Sequence, residues 1–124
     1  MEKQTVHIGT IVVSNSGQEL DNRRKVEFVG EELARRTEYG WGRNGGITDT
    51  RGVTETLYRT EDGRLIVHVN DWSRWRGEPN VESIHEVTEA DLGVGGRFEE
   101  LGAKAGFGRA LTIDEAIKLS RVEP

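Results

Sequence analysis

The densest group of chemistry-bearing side chains is Asp71-Trp72-Ser73-Arg74-Trp75-Arg76. Guanidinium groups beside indoles recognise anions, stack on bases, close cation–π pairs or anchor a partner protein. Trp72 and Trp75 have opposite parity. On an extended strand one indole therefore turns inward, and the other stands out beside Arg74 or Arg76. The same residue types recur at Trp41, Arg43 and Arg59, so the candidate binding set is Trp41, Arg43, Arg59, Trp72, Arg74, Trp75 and Arg76. Against it stands a plainer reading, in which both indoles complete a core drawn from a chain that is only 6% aromatic.

Catalytic chemistry has thinner support. His7, His68 and His85 all fall in strand-like segments, and none has a second histidine within four residues. His68 with Asp71, or His85 with Glu86, supplies two ligands where a closed zinc site takes four, and cysteine is absent. Alternation puts His85 and Glu86 on opposite faces of a strand. Ser73 lies near His68 and Asp71, yet no strained G-x-S-x-G elbow surrounds it. Gly40-Trp41-Gly42-Arg43-Asn44-Gly45 spells the dinucleotide fingerprint, but Gly46-Ile47-Thr48-Asp49-Thr50 leads onward into a strand. The fingerprint works only where a helix N-terminus follows to receive the pyrophosphate. The pairs Glu31-Glu32, Glu61-Asp62 and Glu99-Glu100 read as solvated acids. No cofactor and no metal is expected. The catalytic alternative is a pocket built on His68, Asp71 and His85, with arginines holding an anionic ligand.

These residues sit on recognisable elements. Thr5 to Val13 is rich in β-branched residues and ends at a Ser14–Gly17 turn, which marks a strand. Lys25–Val29 alternates, and Gly30-Glu31 offers a reversal into a returning strand over Glu32–Tyr39, with a short helix as the alternative there. Gly40–Thr50 reads as a loop. Thr54–Thr60 and Arg64–Asn70 flank Glu61-Asp62-Gly63, a strong hairpin signal. A two-residue loop pairs Leu57 with His68, whereas a three-residue loop pairs Leu57 with Val67. Because one residue of slip exchanges faces, the surroundings of His68 stay open. Asn80–Val87 gives another alternating strand. Thr88-Glu89-Ala90-Asp91 and Thr112-Ile113-Asp114-Glu115 resemble capping boxes, and Phe98, Leu101 and Ala105 share a helical face. The expected fold is α+β: an antiparallel sheet of about five or six strands, then two short C-terminal helices packed on one face.

Two stretches carry a resemblance. Phe28-x-Gly30-x-x-Leu33-Ala34, then Leu57-Tyr58-Arg59-Thr60-x-x-Gly63-Arg64-x-x-Val67-His68, resembles a pattern in small uncharacterised bacterial proteins, including the EXLDI-type family. It spans Lys25 to Arg76, while the ending Leu111–Ile117 departs from that family's namesake motif. The resemblance implies a small bacterial accessory protein and no reaction, cofactor or ligand.

Composition bounds the rest. The 124 residues suit a single domain over 1–124. No cysteine means no disulfide and no thiol chemistry, and no long apolar run or export signal is visible, so a cytoplasmic protein is expected. The net charge of −5 is uneven: residues 35–76 carry eight arginines against six acids, and residues 77–124 carry five basic against ten acidic side chains. That acidity argues against non-specific duplex binding, and no membrane partner is expected. The first functional reading is therefore a non-catalytic interaction module whose Arg/Trp hairpin binds a protein partner or a second copy as a homodimer. The His/carboxylate pocket comes second, and single-stranded nucleic acid stacked on Trp41, Trp72 and Trp75 comes third.

Overall fold

The computed structural model describes residues 1–41, 47–108 and 112–120. Six strands come first: β1 (Glu2–Val13), β2 (Glu19–Asp21), β3 (Arg24–Trp41), β4 (Ile47–Thr60), β5 (Leu65–Ser73) and β6 (Asn80–Val87). Three helices follow: α1 (Glu89–Leu92), α2 (Glu99–Lys104) and α3 (Ile113–Ser120). Every pairing is antiparallel, in the order β2-β1-β3-β4-β5-β6, and β1 also pairs with β6.

The β1–β6 contact closes a ring of β1, β3, β4, β5 and β6. Five antiparallel neighbours cannot close with straight strands, because direction alternates and an odd count leaves the last pair parallel. The long strands must therefore bend, and their pairings show where. Residues 24–30 of β3 lie on β1 and residues 30–41 lie on β4. Gly30 is the hand-over point, opposite Glu2 on one side and Thr60 on the other. A Cβ there would stand 2.5 Å from the Arg59 carbonyl oxygen. The Gly30-Glu31 reversal expected from sequence is thus corrected: glycine serves close backbone approach within one continuous strand. A bulge between Glu32 and Ala34 adds to the bend. In β1 the corner is Gly9, whose φ of 117° suits only glycine, and from it residues 9–11 pair with β6.

Residues 32–39 are strand, not helix; of the loop expected over 40–50, residues 40–41 and 47–50 are strand and residues 42–46 lie outside the described residues. The Gly63 hairpin adopts the three-residue register, with Leu57 opposite Val67 and Thr56 opposite His68. That register gives the two faces of β4–β5 different fates. Leu57 and Val67 are fully buried with Val87, Leu92, Phe98 and Leu101 under α1 and α2. Val6, Tyr58, Ile66 and His68 are buried on the other face, inside the ring, where the Phe28 ring meets Tyr58 edge-on at 5.2 Å.

The helical layer begins at Thr88, whose amide and hydroxyl both donate to the Asp91 carboxylate, at 2.8 and 3.1 Å. α1 and α2 cover the sheet through Leu92, Phe98 and Leu101. α3 differs, because its Ile113 and Ile117 are 75% and 48% exposed. No described helix is long and apolar enough to cross a membrane.

Candidate binding groove

The segment from Trp72 to Asn80 joins β5 to β6 at the end of the ring remote from the Gly63 turn. Trp72 lies over Gly52, its cross-strand partner, where a Cβ would stand 2.6 Å from the indole. Tyr39 meets the same indole edge-on at 6.0 Å, so two aromatics cover one glycine from neighbouring strands. The Trp72 Nε1–H donates to Thr54 Oγ1 at 3.0 Å, and the Arg74 guanidinium carbon sits 5.5 Å from the Trp72 ring centroid. Trp72 is therefore the half-buried indole of the pair.

Trp75 is the outward one, 46% exposed. It is nevertheless held in place. Its indole N–H donates to Thr50 Oγ1 at 3.1 Å, and its backbone N–H donates to Ser73 Oγ at 3.0 Å. Ser73 in turn donates its hydroxyl to Glu78 at 2.6 Å and its amide to Asn80 Oδ1 at 2.7 Å. Arg51 grips the Glu78 carboxylate with Nε at 2.9 Å and Nη2 at 2.6 Å, a two-point contact. The Gly77 amide bonds the Val13 carbonyl at 2.6 Å, and Arg76 reaches the Asn15 carbonyl at 3.4 Å, which ties the loop to the far wall on β1. Serine and asparagine side chains thus supply the backbone partners that an irregular segment lacks.

Between that loop and β1 lies a groove of about 300 Å³. Ile11, Val13 and Trp75 supply its apolar lining, and Arg74, Arg76, Glu78 and Asn80 its polar lining. The Glu78 charge is matched by Arg51. The groove therefore combines an exposed aromatic side chain, aliphatic residues and arginines.

The other expected site residues are dispersed. Arg59 lies eight positions from Arg51 along β4, roughly 25 Å away at strand rise, and faces Glu31 at 4.0 Å. Trp41 closes β3 opposite Ile47, but its side chain, like all of Arg43, falls outside the described residues. The fingerprint glycines Gly42 and Gly45 also fall outside them, and the strand β4 follows.

His68, Asp71 and His85 do not converge. His68 points into the ring, where Nε2 lies 2.9 Å from the His7 carbonyl oxygen and 3.2 Å from Glu82 Oε1. His85 pairs with Val67 on the helix-covered face, with its ring 6.2 Å from Phe98. Asp71 shares that second face but is exposed and opposite Val81. The β5–β6 register, with Val67 opposite His85 and His68 opposite Ile84, is what puts the two histidines on different faces. Among the described residues, no three histidine or acidic side chains gather into a cation site.

Sequence alone does not point to one polar assembly, the chain Asp21–Arg23–Glu82–His68. Arg23 holds Asp21 through Nε at 3.0 Å and Glu82 through Nη1 at 3.2 Å. The Arg23 hydrogen bond pulls the Asp21 carboxyl down to about 2 and raises the Arg23 guanidinium in return. The chain links β2, β6 and β5 beside the β1–β6 junction, so it ties the ring where only three residue pairs close it. The β1 wall of the groove was equally hidden, since Asn15 and Arg76 are 61 positions apart.

Compared with protein-family models, curated proteins and solved structures, the chain has no match.

Proposed function

We propose that this protein is a non-catalytic interaction module that binds a macromolecular partner through the Arg74–Trp75–Arg76 groove. The observation that carries the reading is Trp75, which is exposed yet fixed by hydrogen bonds from its indole and its backbone. An aromatic side chain already in its bound pose loses little entropy on association, which favours it as an anchor. Flanking arginines add charge selection at the rim. A small cytoplasmic accessory protein fits the same reading, with a cysteine-free chain of this size.

The test is affinity capture with the wild type, Arg74→Ala and Trp75→Ala, with melting temperatures recorded in parallel. Loss of the captured partner at unchanged melting temperature is the expected result. If both variants unfold, the residues belong to the scaffold and the reading fails. Full retention of the partner by both folded variants also overturns it.

A further inference from the structure

Arg51 and Ser73 form the last pair of the β4–β5 ladder, so their side chains stand side by side on one face. Glu78, five residues beyond Ser73, meets both. Its Oε1 accepts from Ser73 Oγ at 2.6 Å and from Arg51 Nε at 2.9 Å, while Oε2 accepts from Arg51 Nη2 at 2.6 Å. A serine hydroxyl has a single proton to give. With that proton committed to Glu78, the Ser73 lone pairs are left for the Trp75 backbone N–H, which sits at 3.0 Å. Donation thus runs from Trp75 through Ser73 to Glu78, and Arg51 holds the far end. Without the Glu78 acceptor the hydroxyl is free to rotate, and the Trp75 amide loses a fixed partner.

We propose that Glu78 is a positioning residue for Trp75, and that its ion pair with Arg51 makes the pose of Trp75 sensitive to salt. The pair lies open to ions, with the Arg51 and Glu78 side chains 47% and 37% exposed. Attraction between exposed charges weakens as the Debye length shrinks from about 30 Å at 0.01 M salt to about 3 Å at 1 M. The Trp72 indole N–H, bound to Thr54 Oγ1, lies outside this relay and serves as the reference. One consequence rests on the groove being the binding surface, as argued above: affinity for a partner anchored on Trp75 falls with the same changes.

Hydrogen exchange of the full chain, followed by NMR at about 0.01 M and about 1 M sodium chloride, tests the relay. In Glu78→Ala the Trp75 amide is expected to exchange about three- to tenfold faster than in the wild type, which corresponds to one ordinary hydrogen bond, with the Trp72 indole unchanged. Glu78→Gln keeps an acceptor for Ser73 and should restore much of the protection at low salt. It should not show the acceleration that high salt brings to the wild type, a difference that a purely structural Glu78 would not produce. An unaltered Trp75 amide in Glu78→Ala overturns the proposal, as does equal acceleration by salt in the wild type and Glu78→Gln. Loosening of the Trp72 indole by the same factor also overturns it, because the end of the ladder has then come apart as a whole. If Glu78→Ala does not fold, the salt comparison between the wild type and Glu78→Gln decides alone. Retention of a captured partner by folded Trp75→Ala, alongside the expected exchange pattern, removes the groove reading and leaves the positioning role standing.

Discussion

On one face of β4 and β5, Leu57 and Val67 are fully buried against Leu92, Phe98 and Leu101. On the other face, Thr56, Tyr58, Ile66 and His68 are buried inside the ring, and the closure there runs through Glu82, Arg23 and Asp21. The first face is held by close apolar packing. The second depends on polar groups each finding a partner, and a buried group left without one costs more than the bond itself contributes. The Asn70 Oδ1 atom, next to Glu82 across the strands, is already buried without a hydrogen-bond partner among the described residues. The helix-covered face should therefore set global stability, while the ring interior sets whether β1 and β6 stay joined and the groove keeps its wall.

The largest effect is expected on the apolar face. Leu101→Ala should lower unfolding free energy by about 2–5 kcal/mol in urea titrations, because a fully buried leucine leaves a cavity behind. A loss well below that range would mean that α2 merely rests on the sheet. On the polar face, Glu82→Ala should cost about 1–3 kcal/mol by stranding Arg23 and His68. Glu82→Gln keeps the side-chain volume and an acceptor for one of the two partners, and should cost less. Hydrogen exchange should show the β1–β6 amides loosening first in Glu82→Ala. Equal loss in the alanine and glutamine variants would remove the polar chain as the closing device.

A smaller contrast separates the two indoles. Trp72→Ala, which uncovers Gly52 and Tyr39, should cost roughly 1–3 kcal/mol, whereas Trp75→Ala should stay within about 1 kcal/mol. Denaturant midpoints of the two variants, compared side by side, decide it. The smallest effect concerns acid. The Asp21 pKa is lowered from 3.8 to about 2 in the folded protein, chiefly by the Arg23 hydrogen bond. Its contribution is therefore complete above about pH 4 and is lost as pH falls towards 2. The urea midpoint of Asp21→Asn should lie below the wild type at pH 6 and converge with it near pH 2. A constant gap across that window would show that the ion pair adds nothing to folding.

The sequence announces what is local. Asp62-Gly63 marks its hairpin because the turn chemistry lies in adjacent residues, and Thr88 with Asp91 marks the start of α1 for the same reason. It leaves unmarked what depends on distant backbone. Gly30 looks like a turn because nothing nearby records that β4 crosses it, and the hairpin register stays open because both loop lengths fit the same residues. The candidate site divides in the same way. Trp72, Arg74, Trp75 and Arg76 are readable as a group, but strand parity does not separate the indoles, because β5 ends at Ser73 and Trp75 stands in the loop beyond it. The choice of Trp75 as the outer one needed Gly52 and Tyr39, each from another strand, and the Ile11–Val13 wall needed the closure of the ring.

The proposed binding role requires Trp75 to be displayed to solvent while Trp72 is shielded, and acrylamide quenching of tryptophan fluorescence measures this directly. Trp41 is common to all samples, so the comparison is between the wild type, Trp72→Phe and Trp75→Phe. The readily quenched component should shrink in Trp75→Phe and persist in Trp72→Phe. Its disappearance in Trp72→Phe, with Trp75→Phe unchanged, would contradict the displayed groove.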